Sequence, residues 1–490
     1  MLGVASLTVK QFLHGVLLLS LLYMISGTTG DPDLWGHVRF GQDMLAHGAV
    51  RLPDVYSFTA DRVWINHEWL SEILFALAFT SWGPAGLNVL RIVVIACVLG
   101  LVWRASALIP DRRQMMVLAA AGLGIYMRAH PIRPQLFSLL MFAILLTVLK
   151  RADDKGSLRP IAWVPAVTAV WVNLHGGWIV GFGYFALWCV QAGLERPLRD
   201  RVMLAAAISS ALATTLLNPY GLGMWEFLAA TVRVERSMIG DWQPLHELPH
   251  ILWISWLAGA AIAAMGALGA RSRADWTNVT IVAMFGIAAI RVSRLDAFFA
   301  LAAVFLTIRM HQKHEVGSRH VSNERRPSLM WAMAFALCML IVGTALVPRM
   351  TTVPVPVQGA PDSEVAAYVR EQKLKGNVLT WFTWGQYSIW HFSPDLKVSM
   401  DGRRETVYGP ALISDHLQFY FGTSEEWRYA DVLKADYIWI PKHLPVARTL
   451  QRHGWNALCT GKYSIFLARS VRQQPCAGRS SPPGRAFPEL

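Results

Sequence analysis

The stretch Leu21-Leu22-Tyr23-Met24-Ile25-Ser26-Gly27-Thr28-Thr29-Gly30-Asp31-Pro32-Asp33-Leu34-Trp35-Gly36-His37 decides how this chain is read. An apolar run that starts at Phe12 ends here, and two carboxylates follow within a few residues. Carboxylates beside a bilayer cost desolvation energy, so they are seldom placed there without a metal, a cation or a substrate proton as partner. The pair Asp31 and Asp33 therefore marks a site at the membrane surface rather than a plain anchor.

Outward from that point the chain alternates between apolar stretches and short loops. It has 490 residues, 54% hydrophobic and 16% charged, where a soluble domain carries about a quarter charged residues. Membrane spans are expected near 7–26, 86–107, 114–128, 136–149, 160–174, 177–194, 202–217, 250–270, 275–290, 295–310 and 329–347. The fold class expected is thus an α-helical multi-pass membrane protein of about eleven helices, followed by a small extracytoplasmic α/β domain. Residues 1–347, with a long outer loop at 27–85, form the transmembrane domain in this reading. Residues 348–475 form the α/β domain, and 476–490 a disordered tail.

The net charge of +13 reads as topology rather than as nucleic-acid binding. With the N-terminus in the cytoplasm, the first helix exports residues 27–85. The basic loops at Arg104, Arg112, Arg113, then Lys150, Arg151, Lys155, Arg159, then Arg196, Arg199, Arg201, then Arg271 and Arg273, and finally Arg309, Lys313, Arg319, Arg325 and Arg326 all fall inside. That is the positive-inside bias. A cleaved signal peptide is the alternative to a retained first helix. Trp69 to Trp82 is apolar but short, and reads as an interfacial or re-entrant helix.

Two outer loops break the bias: Arg128-Ala129-His130-Pro131-Ile132-Arg133-Pro134 and Arg291-Val292-Ser293-Arg294. Guanidinium groups offer fixed bidentate donors to phosphate oxygens, so Arg128, Arg133, Arg291 and Arg294 are candidate ligands of a lipid phosphate. Snorkelling among headgroups is the plainer explanation. Within the loop at 27–85, Asp33 and His37 are i,i+4 neighbours, as are Glu68 and Glu72. With His67, these groups could hold Mg²⁺ or Mn²⁺ through oxygen ligands, or Asp31 and Asp33 could simply cap the next helix. The loop reads as one or two short helices lying on the membrane. Asn173-Leu174-His175-Gly176-Gly177-Trp178 reads as a tight turn, and Asp241-Trp242-Gln243 as a rim touching a polar ligand.

Beyond about 376 the pattern becomes alternating short strands and helices. Strands are expected at 377–381, 396–400, 437–440 and 463–467. The turns Trp384-Gly385-Gln386-Tyr387 and Asp401-Gly402-Arg403-Arg404-Glu405 follow strands, a usual place for binding residues, although Asp-Gly is also ordinary turn chemistry. Cys97, Cys189 and Cys338 fall in apolar stretches as packing residues. Cys459 and Cys476 could pair in an oxidising compartment or remain free thiols.

With the first helix, the outer loop bearing Asp31-Pro32-Asp33, the many further helices and the outer C-terminal part in place, the chain resembles the C-type fold of integral membrane glycosyltransferases. It is most similar to the bacterial protein-mannosyltransferase-like and lipid-linked-sugar transferase group. Where many members carry Lys-Pro-Pro or His-Pro-Pro near the second helix, this chain has Asn66-His67-Glu68-Trp69. The resemblance implies a multi-pass protein of the bacterial inner membrane. It implies a donor of polyprenyl-phosphate-linked sugar and an acceptor that is an envelope glycan, lipid or protein. Asp33 and Asp31 would be catalytic, in an inverting hexosyl or pentosyl transfer. His37, His67, Glu68, Arg128, Arg133, Arg291, Arg294 and Trp242 would bind substrate, Trp35 and Trp242 stacking on a sugar face. The competing expectations are a non-enzymatic glycan-binding assembly protein of polysaccharide export and a lipid-sugar flippase.

Overall fold

The computed structural model describes residues 8–194, 196–231, 242–315, 328–422, 424–469, 476 and 485–490. Arg319, Arg325, Arg326 and Asp241, singled out above, lie outside the described residues, as does most of the tail after 469.

Each of the eleven apolar stretches is helical. The helices of the first 351 residues are α1 (Val9–Ser26), α2 (Leu34–His47), α3 (Trp69–Ala105), α4 (Asp111–Ala129), α5 (Gln135–Lys155), α6 (Val164–Leu174), α7 (Trp178–Gly193), α8 (Leu198–Thr214), α9 (Gly223–Thr231), α10 (Trp253–Ala267), α11 (Arg273–Arg291), α12 (Asp296–Glu315) and α13 (Leu329–Thr351). Among the described residues, five helices are long and apolar enough to cross a membrane: α1, α3, α5, α13, and α10 with the short turn before it, together His250–Ala267. The capping signals are local. Thr8 and Gln11 form a capping box at the head of α1, and Ser272 and Asp275 another at α11. Gly48 and Gly156 end α2 and α5 in the left-handed conformation, which costs a residue without a Cβ nothing. Within α3 the backbone breaks at Trp82 and Gly83, so the segment Trp69–Trp82 is a helix continued past a kink.

The chain divides into two compact units, and the division differs from the expected one at 347/348. One unit comprises 1–28, 87–218 and 235–351. The other comprises 29–86, 219–234 and 352–490. The long loop thus belongs with the C-terminal region, and it is not merely a pair of helices laid on a membrane. The reason is hydrogen bonding. Val398 N–H donates to Tyr56 O, Phe58 N–H to Val398 O, Arg62 N–H to Val407 O and Ile65 N–H to Thr406 O. The loop serves as an added edge beside a strand and satisfies backbone groups that would otherwise be unpaired.

The C-terminal sheet has five strands in the order β3-β2-β4-β6-β5: β2 (Gly376–Thr380), β3 (Leu396–Val398), β4 (Tyr437–Pro441), β5 (Asn456–Thr460) and β6 (Ser464–Ala468). β2 runs parallel to both β3 and β4, while β6 is antiparallel to β4 and β5. The accompanying helices are α14 (Ser363–Glu371), α15 (Gly385–Phe392), α16 (Pro410–Phe421), α17 (Tyr429–Val432) and α18 (Pro445–Arg452). A second, two-stranded sheet pairs β1 (Pro354–Val355) with β7 (Arg485–Ala486). The end of the chain is therefore ordered at 485–490, where a disordered tail was expected. Phe487 is buried and packs against Trp35, Phe79 and Trp390. Cys459 and Cys476 form a disulfide. Cys189 is buried, but Cys97 is exposed and Cys338 half-buried, so of the three apolar-stretch cysteines only Cys189 packs inside the protein.

Candidate active site

The two carboxylates of the Asp31-Pro32-Asp33 turn have different surroundings. Asp31 is buried, and its Oδ1 accepts the N–H of Asp33 at 3.0 Å. It holds the turn that opens α2 without capping the helix, since the N-cap position is taken by Asp33. Asp33 is half-buried at the N-cap position, and its side chain makes no cap hydrogen bond. Its carboxylate turns toward the 401–403 turn instead, where a Cβ at Gly402 would overlap its Oδ1.

Three motifs meet at this place within the one unit. β2 sends one crossover to β3 on one side, and the chain then returns to β4 on its other side. β2 and β3 are parallel neighbours, so the loops at their carboxyl ends lie side by side on the edge of the sheet where open α/β sheets usually bind ligands. Here those loops meet α2. Gly385 backs onto the 400–401 backbone, with Asp401 Cα 2.6 Å from where its Cβ would be, and the Gln386 side chain lies across Gly36 of α2.

One turn along α2, His37 Nδ1 stands 3.0 Å from Glu72 Oε1, and Asn66 Nδ2 donates to Glu72 Oε2 at 2.6 Å. The contact depends on Gly41. An added Cβ there would lie 2.8 Å from Ala76 Cβ and press on the Glu72 backbone, so only glycine lets α2 and α3 approach this closely. Burial alone would lower the His37 pKa, but the hydrogen bond and charge of Glu72, with Glu68 and Asp33, raise it to about 9. The ordinary value is 6.5, so the stabilisation is complete below that pH and is lost as pH rises through 9. It amounts to about 3 kcal/mol. The thermal midpoint of the solubilised protein should fall between pH 7 and 9.5, and His37→Gln should flatten the fall. An equal slope in the variant would remove His37 as its source.

Glu68, whose charge acts on His37, lies in turn beside His67. His67 Nε2 is 3.6 Å from Glu68 Oε1, and the imidazole packs against Phe227 with ring centroids 5.3 Å apart. Among the described residues no group of three or more His, Cys, Asp or Glu side chains is placed to hold a metal ion. His37 turns to Glu72. Trp35 is fully buried, edge-on to Tyr387 and Phe487. It cannot stack on a sugar as expected, because the ordered chain end and α15 cover it.

Arg403 organises the rest of this unit. Its guanidinium donates twice to Asp401, at 2.9 and 2.7 Å, and once to Asp54 at 3.0 Å. It lies over the rings of Phe40, Tyr56 and Trp64 at 5.1, 5.3 and 4.8 Å. The Asp-Gly-Arg turn, for which binding and plain turn chemistry were both open, is thus the bolt that joins the long loop to the sheet.

In the other unit, Arg128 is buried. Its Nε donates to Asp296 Oδ1 at 2.9 Å and its Nη2 to Ser293 O at 2.8 Å. Two of its donors are committed to the protein, which fits a supporting role better than that of a free phosphate ligand. Arg294 is half-buried, with Nη2 2.9 Å from His175 Nε2 and its guanidinium 5.7 Å from the Trp242 ring centroid. His175 Nδ1 is 2.7 Å from Ser138 Oγ, which accepts the Trp171 indole N–H at 2.7 Å. The glycine turn at 175–177 therefore does more than reverse the chain. Arg291 is exposed at the end of α11, and Arg133 is half-buried before α5. Asp296, Asn66 and Gln386 were missed as individual residues. Asp296, a lone carboxylate heading an apolar helix, was the one detectable signal.

No family model and no curated protein matches the sequence. Solved structures similar in fold include the following two. One is the arabinofuranosyltransferase AftD from Mycobacteria, with a TM-score of 0.51 and 14% identity over 96% of this chain. The match covers 42% of that protein, so the chain spans about two fifths of its length. The other is ArnT from Cupriavidus metallidurans bound to undecaprenyl phosphate, with a TM-score of 0.50 and 10% identity, covering 94% of this chain and 98% of that one. The chain therefore has the C-type fold that its Asp31-Pro32-Asp33 loop and helix pattern led us to expect.

Proposed function

We propose that this chain is a membrane glycosyltransferase that moves a sugar from a polyprenyl phosphate to an extracytoplasmic acceptor. The observation that carries the reading is Asp33, a half-buried carboxylate with no capping duty at the head of α2. It sits in a fold shared with an arabinofuranosyltransferase and with a protein bound to undecaprenyl phosphate. Asp33 takes the proton of the acceptor hydroxyl as that oxygen attacks the anomeric carbon. The bond from that carbon to the phosphate oxygen breaks, and polyprenyl phosphate leaves with the electron pair, giving inversion in a single displacement. A pentose or a hexose would serve equally as the transferred group.

Arg133, Arg291 and Arg294 are the groups proposed to hold the phosphate, since developing negative charge on the leaving group favours fixed cationic donors. Trp242, beside Arg294, offers a ring face to a sugar. His67 and Glu68 would contact the acceptor. In this reading the N-terminus lies in the cytoplasm and the sheet-bearing unit outside, in a bacterial inner membrane. The disulfide supports that side, since such bonds persist in oxidising compartments.

Deleting the gene tests the reading. One polyprenyl-phosphate-linked sugar should accumulate in the membrane lipid extract, and complementation should clear it. A lipid-linked sugar profile identical to that of the parent strain would remove the proposed donor class.

A further inference from the structure

We propose that the segment Arg485–Leu490 is a positioning element for the acidic turn: it holds the backbone on both sides of Asp31-Pro32-Asp33, at Gly30 through β1 and at Trp35 through Phe487. For its catalytic consequence the inference rests on the reaction proposed above.

On the N-terminal side the hold is a chain of backbone hydrogen bonds. Gly30 N–H donates to Pro354 O at 2.6 Å. Gly30 lies flat on that strand, since an added Cβ would stand 3.2 Å from Val355 Cγ2 and 3.5 Å from Pro354 O. β1 pairs in turn with β7, Pro354 opposite Ala486 and Val355 opposite Arg485. Phe487 N–H extends the pairing by donating to Val353 O at 2.9 Å. A pair of strands this short has little stability of its own, so β1 depends on the neighbours that hold it.

On the C-terminal side the hold is aromatic. Phe487 is 1% exposed, and its ring stands 5.5 Å from Trp35, 5.4 Å from Phe79 and 5.8 Å from Trp390. Ring pairs at such spacings stabilise beyond the area they bury. Trp35 is the second residue of α2, one turn of chain past Asp33. The guanidinium of Arg485 lies 5.5 Å from the centroid of the Tyr387 ring, which is itself edge-on to Trp35. The segment also closes on itself: Ala486 N–H donates to Glu489 Oε2 at 3.1 Å, and Glu489 N–H to Ala486 O at 2.7 Å. Phe487 is thus presented from a folded turn.

Within this bracket the Asp33 N–H bond to Asp31 Oδ1 and the Leu34 N–H bond to Asp31 O, both 3.0 Å, shape the turn. Local bonds set its shape, and the bracket sets where it stands. Loosening the bracket displaces the base without touching the groups proposed to bind the donor. The expected kinetic effect is therefore a loss in kcat with little change in KM.

The test uses the full-length protein in lipid nanodiscs. Hydrogen–deuterium exchange is read over residues 29–37, and release of undecaprenyl phosphate is followed with a panel of undecaprenyl-phosphate-linked pentoses and hexoses. The variants are Phe487→Leu, Gly30→Val, Asp33→Asn and, as a matched loss of a buried ring, Phe419→Leu in the core around β4 and β6. Gly30→Val presses on β1 from the other side, so it covers the case in which Phe487→Leu does not fold. Both should speed exchange over 29–37 by about 10-fold or more and lower kcat about 10- to 100-fold, with KM within about threefold. Phe419→Leu should leave exchange over 29–37 and kcat close to wild type. Wild-type exchange over 29–37 in the folded Phe487→Leu or Gly30→Val variant would overturn the hold. Faster exchange with kcat within about twofold of wild type would confine the segment to stability and overturn its catalytic role. Equal losses in Phe419→Leu would trace the effect to general loosening and overturn the proposal as well. Full activity in Asp33→Asn would instead overturn the reaction, while the exchange rates still decide the hold.

Discussion

Asp33→Asn should reduce sugar transfer by about 100- to 10,000-fold, the range over which a positioned general base contributes, while leaving expression and thermal stability close to wild type. The reason for the second half is structural. The Asp33 side chain makes no capping hydrogen bond, and an amide has nearly the same volume as a carboxylate. Asp31→Asn is expected to behave differently. Its Oδ1 holds the Asp33 N–H, and an amide oxygen can still accept that bond, so transfer should fall much less. The measurement is initial-rate release of undecaprenyl phosphate from a lipid-linked sugar by the two variants side by side. Equal losses in both would mean that the two aspartates share one role, and the division between a turn-forming and a proton-accepting carboxylate would fail.

Arg403→Ala should cost about 3–5 kcal/mol of stability, the range seen when one partner of a buried ion pair is removed. Asp401 and Asp54 would both be left buried without their shared cation, and the ring cage of Phe40, Tyr56 and Trp64 would close over an empty space. Tyr408 still donates to Asp401 at 2.8 Å, so the loss is not total. Arg403→Lys keeps the charge but not the planar fork, and should fall between wild type and alanine. Thermal melts of the solubilised protein, with limited proteolysis read at the 50–66 loop, distinguish the outcomes. A melt unchanged in Arg403→Ala would show that the long loop is held to the sheet by its backbone hydrogen bonds alone. Activity should follow stability here, because the helix that carries Asp33 is anchored through Phe40 to the same cage.

Much of this was readable from residue order. The apolar runs gave the helices, because burial in a bilayer demands length and hydrophobicity and little else. Four strands of the sheet were legible, since Val, Ile, Tyr and Trp alternate or cluster there. β5, reading Asn456-Ala457-Leu458-Cys459-Thr460, was not, because it has neither pattern and is held by pairing with β6. The Asp31-Pro32-Asp33 motif was visible as chemistry, but which carboxylate would hold the turn and which would face residues 401–403 was invisible. That choice depends on the backbone turn.

Local sequence thus determined the membrane character, the helix boundaries with their caps, and the presence of an acidic turn after the first helix. Those properties follow from hydropathy, capping and turn chemistry within a few residues. The tertiary structure alone decided that the loop at 29–86 folds with residues 352–490, that His37 answers to Glu72, and that Gln386 and Gly402 stand against Asp33. Each of those pairings joins residues 35 or more positions apart, the first by backbone hydrogen bonds and the others through glycines whose value is the absence of a side chain, and no local pattern encodes what will come to fill that space.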